Sequence, residues 1–137
     1  MARRQSREIA LRVLFEYDLS HTPVNEALDR AENDVSLEDA EFAQELVEGA
    51  LEHLAQIDEA ITQASIAWKI QRMPAIDRNI LRLSVFEIFY SPQVPISVII
   101  NEAVELAKTY STDEAKKFVN GVLGTIAQMV RPEGDPP

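Results

Sequence analysis

The side chains that stand out for chemistry in this chain are cations set beside aromatic rings. Arg3, Arg4 and Arg7 open the sequence, with no acid among the first seven residues. On a helix turning about 100° per residue, Arg4, Glu8, Arg12 and Phe15 project to one side. Ile9, Ala10, Val13, Leu14 and Tyr17 make the apolar side, and Leu11 falls between. A ring on the face that carries arginines suits single-stranded RNA: guanidinium groups neutralise phosphates, and the ring offers a surface to an unstacked base. Near the other end, Lys116 and Lys117 precede Phe118, which lies about 90° round from an apolar stripe of Val119, Val122, Leu123, Ile126 and Val130. The bland alternative is that both rings close the margin of a core and the cations merely solubilise.

A further cluster has the composition of a protein interface. Arg78, Arg82, Phe86 and Phe89 gather on one side of a predicted helix with Asp77 at its start, and arginines with aromatics anchor interfaces when no other helix covers them. Coverage by another helix of the same chain is the competing reading. Gly121 and Gly124 read as points of close helix contact, and Asn101, Glu102 and Asn120 as groups that satisfy buried polar atoms or caps.

Enzymatic chemistry has little to work with. The chain has no cysteine, which excludes disulfides, thiolate zinc sites and a thiol nucleophile. Its two histidines, His21 and His53, lie far apart, and neither has the Glu three residues earlier that a di-iron bundle uses. The four glycines form no phosphate loop. No catalytic residue, metal ligand or cofactor is expected.

The elements that must position these residues read as helices throughout. With 137 residues, 46% of them apolar, the chain fits one domain with one core. A first helix spans about Ser6 to Leu19, and Thr22-Pro23 opens a short one to about Glu32. Ser36 caps a long amphipathic stretch with Phe42, Leu46, Leu54, Ile57 and Ile61 at helical spacing and a break near Gln56. Pro74 precedes a helix over Ile76 to Tyr90 that is apolar nearly all round, as a central helix is. Pro95 starts another, to about Tyr110. Ser111 with Glu114 reads as a capping box for the last helix, to about Val130. Pro132 to Pro137 has no apolar content and reads as a disordered tail.

Net charge is −10, yet it is unevenly spread. Residues 21–65 hold twelve acids against Arg30 alone, so the rest of the chain has 12 bases and 11 acids. Because phosphate binding depends on potential within a Debye length of about 8–10 Å, a basic edge can function on an acidic protein. The acidic stretch is most simply a solvated face; docking of a basic partner by a helical adaptor without RNA is the alternative. No apolar run nears the roughly 20 residues of a membrane helix, so a soluble cytoplasmic protein without a membrane role is expected.

Several motifs carry a resemblance. They are Arg3-Arg4-x-x-Arg7-Glu8-x-Ala10 leading to Leu14-Phe15, then Ile76-Asp77-Arg78-x-Ile80-Leu81-Arg82-Leu83, Asn101-Glu102-Ala103, and Phe118-Val119-Asn120-Gly121. Together they resemble the NusB family of transcription antitermination factors. The resemblance implies an all-α fold, a compact bundle of about seven helices in two small subdomains, with residues 1–131 as a single NusB-like RNA-binding domain. It implies a non-enzymatic role: binding boxA RNA together with NusE, a small-subunit ribosomal protein, and joining the RNA polymerase antitermination complex during rRNA transcription. By position it places Arg3, Arg4, Arg7, Phe15, Lys117 and Phe118 in RNA binding and turns Asp77 towards NusE; the pattern of the residues themselves adds Lys116 to the RNA surface and Arg78 and Arg82 to the partner face. Phe15 stands where the family often has tyrosine, and Gly124 where an acid is common. A related helical domain accompanies rRNA cytosine methyltransferases, but no catalytic domain is present in this sequence. Relatives differ in oligomeric state, so a homodimer is as compatible as a monomer.

Overall fold

The computed structural model describes residues 3–31 and 35–135. In chain order the helices are α1 (Arg4–Ser20), α2 (Val24–Ala31), α3 (Leu37–Glu52), α4 (Leu54–Ala64), α5 (Ala75–Tyr90), α6 (Ile96–Tyr110) and α7 (Asp113–Val130). A single 3₁₀ turn, Ile70–Arg72, follows α4. Among the described residues there are no strands, and no helix is long and apolar enough to cross a membrane. The all-α bundle expected from the sequence is the fold that forms.

Helix α5 touches α1, α3, α4, α6 and α7. Its apolar circumference explains the central place: Ile80, Leu81, Leu83, Val85 and Ile88 are all buried. Around it α1, α2 and α3 pack as one group and α4, α6 and α7 as another. One continuous core runs through both, from Leu11, Leu14 and Leu46 to Ile99, Leu123 and Ile126.

Local signals set most boundaries. Ser36 accepts from the Asp39 amide at 3.1 Å and caps α3. The long amphipathic stretch breaks at His53 rather than near Gln56, because α3 closes on His53 and α4 starts from it. The cap of α7 is Thr112, whose Oγ1 accepts from the Ala115 amide at 3.1 Å. The expected Ser111–Glu114 capping box does not form, since Ser111 donates instead to Asp77. The end of α2 near Glu32 lies outside the described residues.

Other expectations need correction. Nothing lies within 4 Å of a Cβ built on Gly121 or Gly124, so neither mediates close helix contact. Gly49 does: a Cβ there would lie 2.2 Å from the Phe86 ring, which covers the α3 backbone at that point. The chain after α7 is not featureless either. Arg131 donates to the carbonyls of Glu87, Ile88, Ser91 and Val94, and at 3.0 Å to Asp135. Asp135 in turn accepts from the Ile96 amide at 2.9 Å, capping the start of α6. Pro136 and Pro137 lie outside the described residues.

Candidate nucleic-acid interface

The N-terminal arginines divide by depth. Arg7 lies on the buried stripe of α1 with Ala10, Leu11 and Leu14. Its Nε and Nη2 donate to the two carboxylate oxygens of Glu87 at 2.8 and 2.7 Å. The two side chains are 3% and 1% exposed, so this is a fully buried fork-to-fork pair. Arg7 Nη1 remains a buried donor without a partner among the described residues. A phosphate cannot reach Arg7, and moving Arg7 outward would strand the Glu87 charge in the core. The expected RNA contact at Arg7 is corrected to a core ion pair.

Arg4, three residues earlier, is exposed. Its Nε and Nη2 donate to Glu102 at 3.1 and 2.9 Å, and these bonds, then the Glu102 charge itself, raise the Arg4 pKa. Glu102 is buried, so it fixes one edge of the guanidinium and leaves the other to solvent. Arg3 has a left-handed backbone (φ 52°), donates to Glu38 at 2.9 Å, and sets its guanidinium 4.7 Å from the Phe42 ring centre. Arg12 is exposed and has no carboxylate partner among the described residues.

Neither ring is sealed. Phe15 is half-buried on the same side of α1 as exposed Arg12. Phe118 is half-buried, packs against the core, and meets Trp68 with ring centres 5.2 Å apart, tilted 56°. The sequence carries no signal for Trp68, because it sits in the loop before the 3₁₀ turn, where no periodicity marks a face. Trp68, Asp77, Tyr110, Ser111 and Phe118 line a cleft of about 670 Å³. Lys117 is exposed without an acid partner among the described residues, whereas Lys116 is half-buried and pairs with Asp113 at 3.4 Å.

The α5 cluster expected to face a partner is covered by this chain. Asp77 is buried and accepts from Ser111 Oγ at 2.5 Å. Arg78 donates to Asp18 at 2.7 and 2.9 Å and to the carbonyls of Ile70 and Met73. Arg82 forks onto Asp58 at 2.9 Å and lies 3.4 Å from Asp18. Burial pushes the Asp18 pKa up, but hydrogen bonds from Arg78 and Asn79 and the charge of Arg82 outweigh it and hold the carboxyl below its ordinary 3.8. These groups tie α5 to α1 and α4, which is the reading of coverage within the chain.

Asn101 and Asn120, expected to satisfy buried groups, are exposed; Glu102 alone of that set is buried. The acids of α2 and α3 are mostly exposed, with Asp29, Glu48 and Glu52 beside a shallow groove between those helices. Among the described residues no three His, Asp or Glu side chains converge where they could hold a metal ion.

Comparison with known proteins agrees with this architecture. The NusB family model matches residues 4–128. The transcription antitermination protein NusB of Symbiobacterium thermophilum is 46% identical over 136 residues, covering 92% of this chain and 89% of the relative. Among solved structures, T. maritima NusB superposes with a TM-score of 0.87 at 32% identity, over 98% of this chain and 93% of that one. A chain in the crystal structure of antitermination factors NusB and NusE in complex with dsRNA gives 0.86 at 30% identity, over 93% of this chain and 97% of that one. With the family model covering most of its helical bundle, this chain belongs to the NusB family.

Proposed function

We propose that this protein is a cytoplasmic transcription antitermination factor that binds boxA RNA together with a NusE partner and joins the RNA polymerase antitermination complex during rRNA synthesis. It works by assembly and performs no catalysis. The observation that carries the reading is the likeness, over almost the whole chain, to a structure of NusB with NusE and dsRNA. Local chemistry supports it. Arg3, Arg4 and Lys117 supply phosphate contacts, and Lys116 reinforces the local potential. Phe15 and Phe118 offer ring edges and faces to unstacked bases. Arg7 contributes indirectly, by seating α1 against α5 so that Arg4 and Phe15 stand at the rim.

Asp77 is buried beneath Ser111, yet it lines the cleft beside Trp68 and Phe118, and a protein partner seated in that cleft would reach it there. Engagement of Asp77 by a partner requires Ser111 to release it, so the partner exchanges one hydrogen bond for another instead of meeting a bare charge. Gel-shift titration of boxA RNA, with and without NusE, tests the whole reading. Binding strengthened by NusE is the expected result. RNA affinity unaffected by NusE, and no complex between the two proteins, would remove it.

A further inference from the structure

Between α6 and α7 runs a groove of about 660 Å³ that neither ring cluster uses. Half-buried Ile100 and Val104 form its apolar floor; Asn101, Asn120, Lys116 and Lys117 stand around it, with Asp113 at one end paired to Lys116. Both asparagines are exposed, and neither side chain makes a hydrogen bond among the described residues. They therefore do nothing for the fold that a shorter side chain would not do. Lys117 is likewise unpaired among the described residues, which leaves the rim with an excess of positive charge.

We propose that this groove receives one unstacked base of single-stranded RNA. The base plane rests on Ile100 and Val104, its polar edge meets the Asn101 and Asn120 amides, and the adjoining phosphate lies on Lys117. The inference rests on the RNA-binding reading above and adds to it a site that selects a base as well as a charge. An amide carries a donor pair and an acceptor, the combination that reads a base edge, and single-stranded RNA exposes such edges. Position favours the same occupant. Asn101 lies about 100° round α6 from Glu102, the residue that holds Arg4, so a strand crossing from Arg4 to the α7 lysines passes over the groove. A protein anchor would fill the apolar floor, yet would leave two amides and a cation to be matched at the rim.

The test is fluorescence anisotropy of the full chain with NusE present, using labelled single-stranded boxA RNA over a range of salt. Asn101→Ala with Asn120→Ala should weaken binding by about fivefold or more, since one well-matched amide–base pair is worth at least that. The slope of log affinity against log salt should stay at the wild-type value, because no phosphate contact is lost. Lys117→Ala should instead lower that slope by about 0.7, the value for one phosphate on a single strand. Both asparagines are exposed, and a thermal melt equal to wild type is expected for the double variant. Unchanged RNA affinity in the double variant would overturn the groove while leaving the RNA reading intact. Loss of NusE capture without loss of RNA affinity would also overturn it and make the groove a protein-docking face. Failure of the wild-type complex to bind RNA at all would remove both readings together.

Discussion

Arg7 and Arg4 lie one helical turn apart on α1, and each grips a carboxylate with Nε and Nη2, yet they do opposite things. The Arg7–Glu87 pair is sealed inside the bundle, while the Arg4–Glu102 pair has its acid buried and its base in water. An ion pair with both members in the core fixes how α1 lies on α5, and its charge is neutralised at short range. A pair buried on one side only holds a cation at the surface with its remaining N–H groups still available. The same residue type, met twice in one motif, thus serves folding at one position and, in the proposed reading, RNA recognition at the other. Depth, not sequence motif, decides which.

That contrast can be broken at its inner end first. Arg7→Ala should cost about 3–5 kcal/mol in urea unfolding, because it leaves the Glu87 charge buried and unpaired. Replacing both members with methionine should recover most of that loss and leave RNA affinity near wild type, since well-packed apolar pairs often substitute for a buried ion pair. If the double replacement folds well but loses RNA binding, Arg7 touches RNA and the division by depth is wrong. Gly49→Ala probes another inner contact: its methyl would collide with Phe86, and a loss of about 1–3 kcal/mol in thermal or urea melts is expected, with RNA affinity of the folded fraction unchanged.

The outer side should respond in the reverse sense. Phe15→Ala should weaken boxA RNA binding by about 1–3 kcal/mol, the range for loss of one stacked base, measured by gel shift with NusE present. Lys117→Ala should move stability by no more than about 0.5 kcal/mol while reducing the salt dependence of RNA binding. The smallest effect is expected at Asp18. Its folded pKa is depressed, so its contribution to stability is present above its ordinary pKa of 3.8 and disappears as pH falls through the lower folded value. Asp18→Asn should therefore flatten the acid limb of a stability–pH curve below about pH 4. A curve that keeps its wild-type acid limb would mean that the Arg78 and Arg82 contacts do not hold Asp18 ionised.

Much of the fold was legible because its signals are local. Ser36, Pro74 and Pro95 mark helix starts whatever the helices pack against, and the all-round apolar character of α5 announces a central position. The site was less legible because burial depends on which helices meet. Arg7 sits among arginine neighbours in the sequence, yet it precedes Leu14 by seven residues and so shares the buried stripe of α1. A second signal was available in Glu87, an acid inside the apolar stretch of α5 whose burial requires a cation. Gly49 gave no sign, since only the approach of Phe86 across the α3–α5 contact makes its missing side chain matter. Asp135 was hidden for a similar reason: its role is to cap a helix that starts 39 residues earlier.

In the proposed reading the cations at the rim, not the one in the core, hold RNA. The most direct measurement is boxA RNA affinity across a salt series, with NusE present, for wild type and for the Arg4→Ala, Lys117→Ala double variant. Removing two phosphate contacts to a single strand should lower the slope of log affinity against log salt by about 1.4. A double variant whose line coincides with wild type at every salt concentration would mean that neither cation touches the RNA.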